Sequence, residues 1–198
     1  MGFLLKISAS IDAFNRFVGK IMIWFIFAAT VISAGNAVVR KLFSLGSNAW
    51  LEIQWYLFAA AFMLGAAATF LNNGHVRIDV LACRLSSRTR AWIDIGGILI
   101  FLLPLCWFMI DFSWPLVARA YEFGEMSSNA GGLIRWPVYA TLPAGFVLLG
   151  LQAVSELIKR AGFLAGLEPD PFAVSDELEG HVTPPAEAAL ETAGEENK

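Results

Sequence analysis

Four long stretches of the chain carry no charged side chain and consist mostly of apolar residues. They cover residues 21–39, 53–74, 95–110 and 136–155. A helix of about 20 residues spans roughly 30 Å, which is the thickness of the hydrocarbon core of a bilayer. Because lipid offers the backbone no hydrogen-bond partners, such stretches must form helices. The sequence therefore predicts an all-α integral membrane protein with four transmembrane helices.

The flanking residues extend these stretches into a membrane domain of residues 1–166. We place its spans at about 17–39, 50–73, 92–118 and 136–159. Between the second and third spans, Ile78, Leu81 and Leu85 recur at helical spacing, opposite a basic side that contains Arg84 and Arg88. This pattern predicts a short interfacial cytoplasmic helix, and the alternative is an ordinary charged connecting loop.

Charges are distributed unevenly along the chain. Nine of the 17 acidic residues lie at or after Glu168, together with a single base, Lys198. This stretch has several prolines and few large apolar residues, so we predict a disordered acidic C-terminal tail over residues 167–198. The rest of the chain is net positive, which suits contact with anionic membrane lipids.

The lysine and arginine residues between the spans predict the orientation of the helices. The N-terminus, the second loop and the start of the tail hold nine: Lys6, Arg16, Lys20, Arg77, Arg84, Arg88, Arg90, Lys159 and Arg160. The other two loops hold four: Arg40, Lys41, Arg119 and Arg135. We therefore expect both termini in the cytoplasm. A cleaved signal peptide is the alternative for the first stretch, whose length and closely following basic pair favour a retained helix.

Histidine and cysteine are too scarce to build a metal or haem centre. The chain has two of each, at His75, His181, Cys83 and Cys106, without metal-site spacing. Two histidines do not supply the paired intramembrane ligands of a haem subunit. The chain also lacks a nucleotide-binding glycine motif and a surface suited to nucleic acid. We expect no enzyme activity, no cofactor and no nucleic-acid partner.

Glu52 is a carboxylate at the end of the second span. An unpaired charge at that depth is costly, so it should find a cation or backbone donors. The functional hypothesis is a fixed ion pair that registers this helix against a neighbour or another subunit. The alternative is a solvated acid at the level of the headgroups.

Small residues on the second span indicate close helix packing. Ala61 and Gly65 stand four residues apart, and small side chains let helix backbones approach each other in a membrane. The partner helix can belong to this chain or to another subunit, and both interpretations remain open.

Two loop segments carry further candidate residues. His75, Arg77 and Asp79 follow the second span, and we prefer a local hydrogen-bonded turn there over a proton relay or metal site. Before the fourth span lie Gly131 and Gly132, then Trp136-Pro137, with proline in a position that a helix start tolerates. Pro104 and Pro143 lie deeper in their spans and are expected to kink them.

Four elements in order resemble the small membrane subunit, DctQ-like, of tripartite ATP-independent periplasmic (TRAP) transporters. They are Trp50-Leu-Glu-Ile-Gln-Trp-Tyr56, Phe62-Met-Leu-Gly-Ala66, His75-Val-Arg-Ile-Asp79 and Gly131-Gly-Leu-Ile-Arg-Trp-Pro137. The likeness covers roughly residues 10–165. The residues on its recurring positions, which we interpret as structural or subunit-interface residues, are Glu52, Tyr56, His75, Arg77, Asp79, Gly131, Gly132, Trp136 and Pro137.

The resemblance implies a function in a bacterial inner membrane. A periplasmic substrate-binding protein would deliver an organic acid to a large DctM-like subunit, which binds sodium and substrate and moves as an elevator. The present chain would brace that subunit as a noncatalytic scaffold. The rival hypothesis is a self-sufficient homo-oligomeric transporter or channel, for which Thr30, Ser33 and Asn36 are the only polar candidates in the first span.

Overall fold

Four long helices make up most of the protein in a computed structural model, which describes residues 2–44, 46–72 and 85–167. They are α1 (Gly2–Phe43), α2 (Asn48–Leu71), α3 (Ser87–Glu122) and α4 (Trp136–Leu164). Each is long and apolar enough to cross a membrane. The described ranges contain no β-strand beyond one isolated bridge in the α3–α4 loop. The predicted all-α class with four membrane helices is confirmed.

The helices extend past most of the predicted spans. α1 has 42 residues and is therefore about 63 Å long, twice the thickness of a hydrocarbon core. α4 continues beyond residue 159 to Leu164, whereas α2 ends at Leu71. Hydropathy marks the part of a helix that suits lipid, but a helix continues for as long as its backbone hydrogen bonds and packing allow.

A wider helical turn interrupts α3 directly before a proline. Residues Ile98–Leu102 form a π-helical turn, which the N–H of Leu103 closes on the carbonyl of Ile98. Pro104 follows, and its ring lacks an N–H and crowds the carbonyl four residues earlier. Opening the preceding turn relieves that crowding, so the irregularity expected at Pro104 takes the form of a π-bulge.

α4 is the central helix of the bundle, because it contacts α1, α2 and α3. The buried apolar residues are mostly alanines, whereas large side chains such as Trp24, Phe62 and Phe101 point outward. This arrangement suits lipid, in which burying a large apolar side chain brings little gain and close backbone packing holds the helices together.

Two glycines mark the closest helix contacts. A Cβ added at Gly19 of α1 would lie 2.5 Å from the Cβ of Ala68 on α2. A Cβ added at Gly145 of α4 would lie 2.6 Å from the backbone oxygen of Met63 on α2. Any larger residue at either position would push the backbones apart.

Several predictions fall outside the described residues. They concern most of the interfacial helix near residues 78–85, the loop residues His75, Arg77 and Asp79, and the tail from residue 168. Their placement stays a prediction.

Candidate functional site

The carboxylate of Glu52 connects α2 to the α3–α4 loop (residues 123–135). One oxygen accepts a hydrogen bond from the N–H of Leu133 at 2.6 Å. The other accepts from the side-chain amide of Asn129 at 2.8 Å and from the hydroxyl of Ser127. Hydrogen bonds to an ionised carboxylate are stronger than neutral ones, so this group holds the loop firmly against α2. We call Glu52 with these three donors the Glu52 clasp.

The α3–α4 loop has its own backbone hydrogen bonds. The N–H of Ser127 donates to the carbonyl of Leu133, and the N–H of Arg135 donates to that of Glu125, both at 2.9 Å. The side-chain amide of Asn48, in the first turn of α2, donates to the carbonyl of Ala130 at 3.0 Å. The loop is therefore a folded element with defined attachments to α2.

The adjacent glycines Gly131 and Gly132 of this loop are required for different structural reasons. Gly131 has a φ of +72°, a left-handed conformation that disfavours other residues. At Gly132, an added Cβ would lie 2.4 Å from the Cβ of Ser127 and 2.9 Å from the Glu52 carboxylate. The carboxylate can approach the loop this closely only because position 132 has no side chain.

A second polar cluster joins α1 to α4. The carboxylate of Asp12 accepts from Gln152 at 2.8 Å, from Ser155 at 2.7 Å and from Lys159 at 3.0 Å. The side-chain amide of Asn15 donates to the oxygen of Gln152 at 2.8 Å. Asn15 and Gln152 are both buried, so these contacts are shielded from solvent.

The same cluster continues from α4 to α3 through a buried arginine. Arg160 is 3% exposed and lies 2.9 Å from the carboxylate of Asp94. It also pairs with Glu156, which pairs in turn with Lys159. A buried charge is tolerated only when it is paired. Here each ion pair either joins α4 to another helix or joins two consecutive turns of α4. We call Asp12, Asp94, Glu156, Lys159 and Arg160 the three-helix ion cluster.

The comparison with known families identifies the chain. A family model described as "Tripartite ATP-independent periplasmic transporters, DctQ component" matches residues 29–162. This protein belongs to the DctQ family. No curated protein and no solved structure matches the chain. It is thus a multi-pass membrane component of a TRAP-type transporter.

The matched region of this DctQ protein includes the whole Glu52 clasp and most of the three-helix ion cluster. Asp12 and Asn15 precede the match, although they contact residues inside it. Among the described residues, no group of three or more His, Cys, Asp or Glu side chains could hold a metal ion. The charged groups instead contact each other across helices.

The remaining predicted site residues that lie within the described ranges are near these clusters or on packing faces. Tyr56 is half-buried one turn after Glu52. The ring of Trp136 packs edge to face with Tyr121, their centroids 5.5 Å apart, and Pro137 follows it in the first turn of α4. Ala61 is buried, and a Cβ at Gly65 would lie 3.9 Å from Met22 of α1. The Ala61–Gly65 face thus lies against a helix of the same chain.

The three-helix ion cluster is absent from the sequence-based predictions. The charge distribution assigns Lys159 and Arg160 to the start of the tail, whereas the structure places both on α4 and buries Arg160. A signal was present, because Gln152, Ser155, Glu156 and Lys159 recur at three- and four-residue spacing on one face of α4. That spacing identifies a polar face but does not identify its partner helix.

Proposed function

We propose that this DctQ protein is the noncatalytic scaffold subunit of a sodium-driven, binding-protein-dependent importer of an organic acid. It braces a large DctM-like elevator subunit, which binds the sodium and the substrate. The assembly lies in a bacterial inner membrane, with both termini of this chain in the cytoplasm, and receives its cargo from a periplasmic binding protein.

One observation carries this proposal: the polar side chains fix helices and loops to each other. The Glu52 clasp connects α2 with the α3–α4 loop, and the three-helix ion cluster connects α1, α3 and α4. These contacts attach the helices and the loop to each other. Such attachments suit a static support against which a neighbouring subunit moves.

Reconstitution in liposomes tests which subunits are needed for transport. The chain alone, the large subunit alone and the two together are compared for sodium-driven uptake of organic acids in the presence of the binding protein. The scaffold proposal predicts uptake only with both subunits, or uptake by the large subunit alone that is slow and soon lost. Full and durable uptake by the large subunit alone would refute it.

One groove is relevant to the rival hypothesis of a homo-oligomeric transporter or channel, because it contains two of the polar residues named for that hypothesis. Thr30 and Ser33 line an open groove between α1 and α2 together with Gln54. A homo-oligomer that joined such grooves would have a polar path and would transport substrate without another subunit. The hydroxyl of Thr30 donates to the carbonyl of Ile26 in its own helix, which weakens this hypothesis. Uptake by liposomes that hold this chain alone would support the alternative.

A further inference from the structure

A second groove between α1 and α2 combines a cationic end with an apolar length. It has a volume of about 780 Å³. Its polar end contains Arg16, Lys20, Thr69 and Asn72, and its other part is lined by apolar residues that include Phe62. We call it the Arg16–Lys20 groove. Its cationic end is complementary to an anionic lipid headgroup, and its apolar part is suited to an acyl chain.

Small residues form the floor of this groove. Gly19 and Ala68 bring α1 and α2 into close contact, and Gly65 leaves space beside Met22. The side chains of Ile23 and Phe62 are exposed on either side and form its walls. The floor is therefore shallow and apolar and is bounded along its length by bulky side chains.

The two cations at its end have no acidic partner among the residues that the structure describes. Arg16 and Lys20 lie one turn apart on α1, and both are exposed. Asp12, one turn before Arg16, is already paired with Lys159 and hydrogen-bonded to Ser155. Two adjacent cations without a counterion are suited to an anion from outside the described protein.

The groove is long enough for an acyl chain. From Asn72 to Phe58 it extends along α2 for about 21 Å, whereas one leaflet of the hydrocarbon core is about 15 Å thick. Basic pockets between membrane helices on the cytoplasmic side bind anionic lipid headgroups. The orientation that we expect from the lysine and arginine distribution places Arg16 and Lys20 on that side.

We propose that the Arg16–Lys20 groove binds one anionic glycerophospholipid of the cytoplasmic leaflet. The phosphate contacts the guanidinium of Arg16 and the ammonium of Lys20, and one acyl chain lies in the apolar part of the groove, between Ile23 and Phe62 and beside Ala66. The site does not depend on the scaffold function, because it requires only this chain and the membrane.

Native mass spectrometry of the full chain in detergent tests this site. Phosphatidylglycerol and phosphatidylcholine with the same acyl chains are titrated separately, and the bound fraction is measured for each. The wild type should bind phosphatidylglycerol about tenfold more tightly than phosphatidylcholine. The double variant R16Q/K20Q should lose most of that preference, since each cation near a lipid surface contributes favourably.

Two control variants separate this site from general charge and packing effects. R40Q/K41Q removes the same charge from the other end of α1 and should leave the preference unchanged. A66F fills the groove and should weaken phosphatidylglycerol binding, whereas A59F, on the wall of the other α1–α2 groove, should not. Circular dichroism checks that each variant is folded.

Several results would overturn the proposal. They are equal binding of the two lipids, equal losses in the two double variants, or no effect of A66F. Displacement of the lipid by inorganic phosphate at constant ionic strength would indicate a headgroup site without acyl contacts. Phosphatidylglycerol binding to the isolated chain but not to the copurified transporter would show that a protein subunit covers the groove.

Discussion

The guanidinium of Arg160 lies 2.9 Å from the carboxylate of Asp94, although the two residues are on different helices and Arg160 is almost completely buried. Arg160 also pairs with Glu156 on its own helix. One cation thus contacts an acid on α3 and an acid on α4. Removing this charge would therefore remove the ion pair that joins Asp94 on α3 to α4.

Replacing Arg160 by methionine should destabilise the protein strongly. Loss of one partner from a buried ion pair typically costs about 3 kcal/mol or more, and here the change removes the ion pairs with both Asp94 and Glu156. Thermal unfolding of the purified protein in detergent measures the effect. The control is R119Q, because Arg119 pairs with Glu125 at 3.4 Å in an exposed position, where a change of about 1 kcal/mol or less is expected. Similar losses in the two variants would contradict the structural role of Arg160.

Replacing Glu52 by glutamine should release the α3–α4 loop. Glutamine presents one acceptor oxygen instead of two and adds an amide that faces existing donors, so we expect the loop to be held less tightly against α2. A cysteine introduced at Ala130 reports the change through its rate of labelling by a membrane-impermeant maleimide. Labelling should be faster in the E52Q background than in the wild type, whereas E122Q, at an exposed end of α3, should leave the rate unchanged. Unaltered labelling, assembly and transport in E52Q would exclude a role for the Glu52 clasp.

Replacing Gly132 by alanine should disturb the Glu52 clasp without changing any charge. The new methyl group would collide with Ser127 and the Glu52 carboxylate, which we expect to cost about 1–3 kcal/mol. The same labelling assay at position 130 measures it. G46A is the matched control, because no heavy atom lies within 4 Å of its added Cβ. If G132A and G46A behave alike, the close approach at position 132 is unimportant.

Replacing Gly145 by alanine should separate α2 and α4. The added Cβ would lie 2.6 Å from the backbone oxygen of Met63, which cannot move without moving α2. We expect a loss of about 1–3 kcal/mol in thermal unfolding. G150A, on the same helix, brings its Cβ only to 3.7 Å from Cys106 and should be neutral or slightly stabilising. An equally small effect at both positions would argue against close packing at Gly145.

The sequence could predict the helices because a membrane makes secondary structure a local property. A backbone in lipid must satisfy its own hydrogen bonds, so a charge-free stretch of sufficient length is a helix whatever it packs against. The start of α4 at Trp136 followed by Pro137 is local in the same sense.

The partners of the polar residues could not be predicted in this way. The sequence indicates that Glu52 needs a partner, but the donors at Ser127, Asn129 and Leu133 lie 75 to 81 residues later in the chain. Gly145 and Gly19 have no local pattern that distinguishes them from other glycines, and only the crossing of two helices gives each its role.

The amino-acid sequence by itself determined that this protein is a bundle of four membrane helices with the features of a DctQ subunit. The tertiary structure alone decided that Asp12, Asp94 and Arg160, from three different helices, form part of one cluster. The physical reason is that helix formation depends on neighbours three to five residues apart. A buried charge depends instead on which helices meet, and helical periodicity contains no information about that.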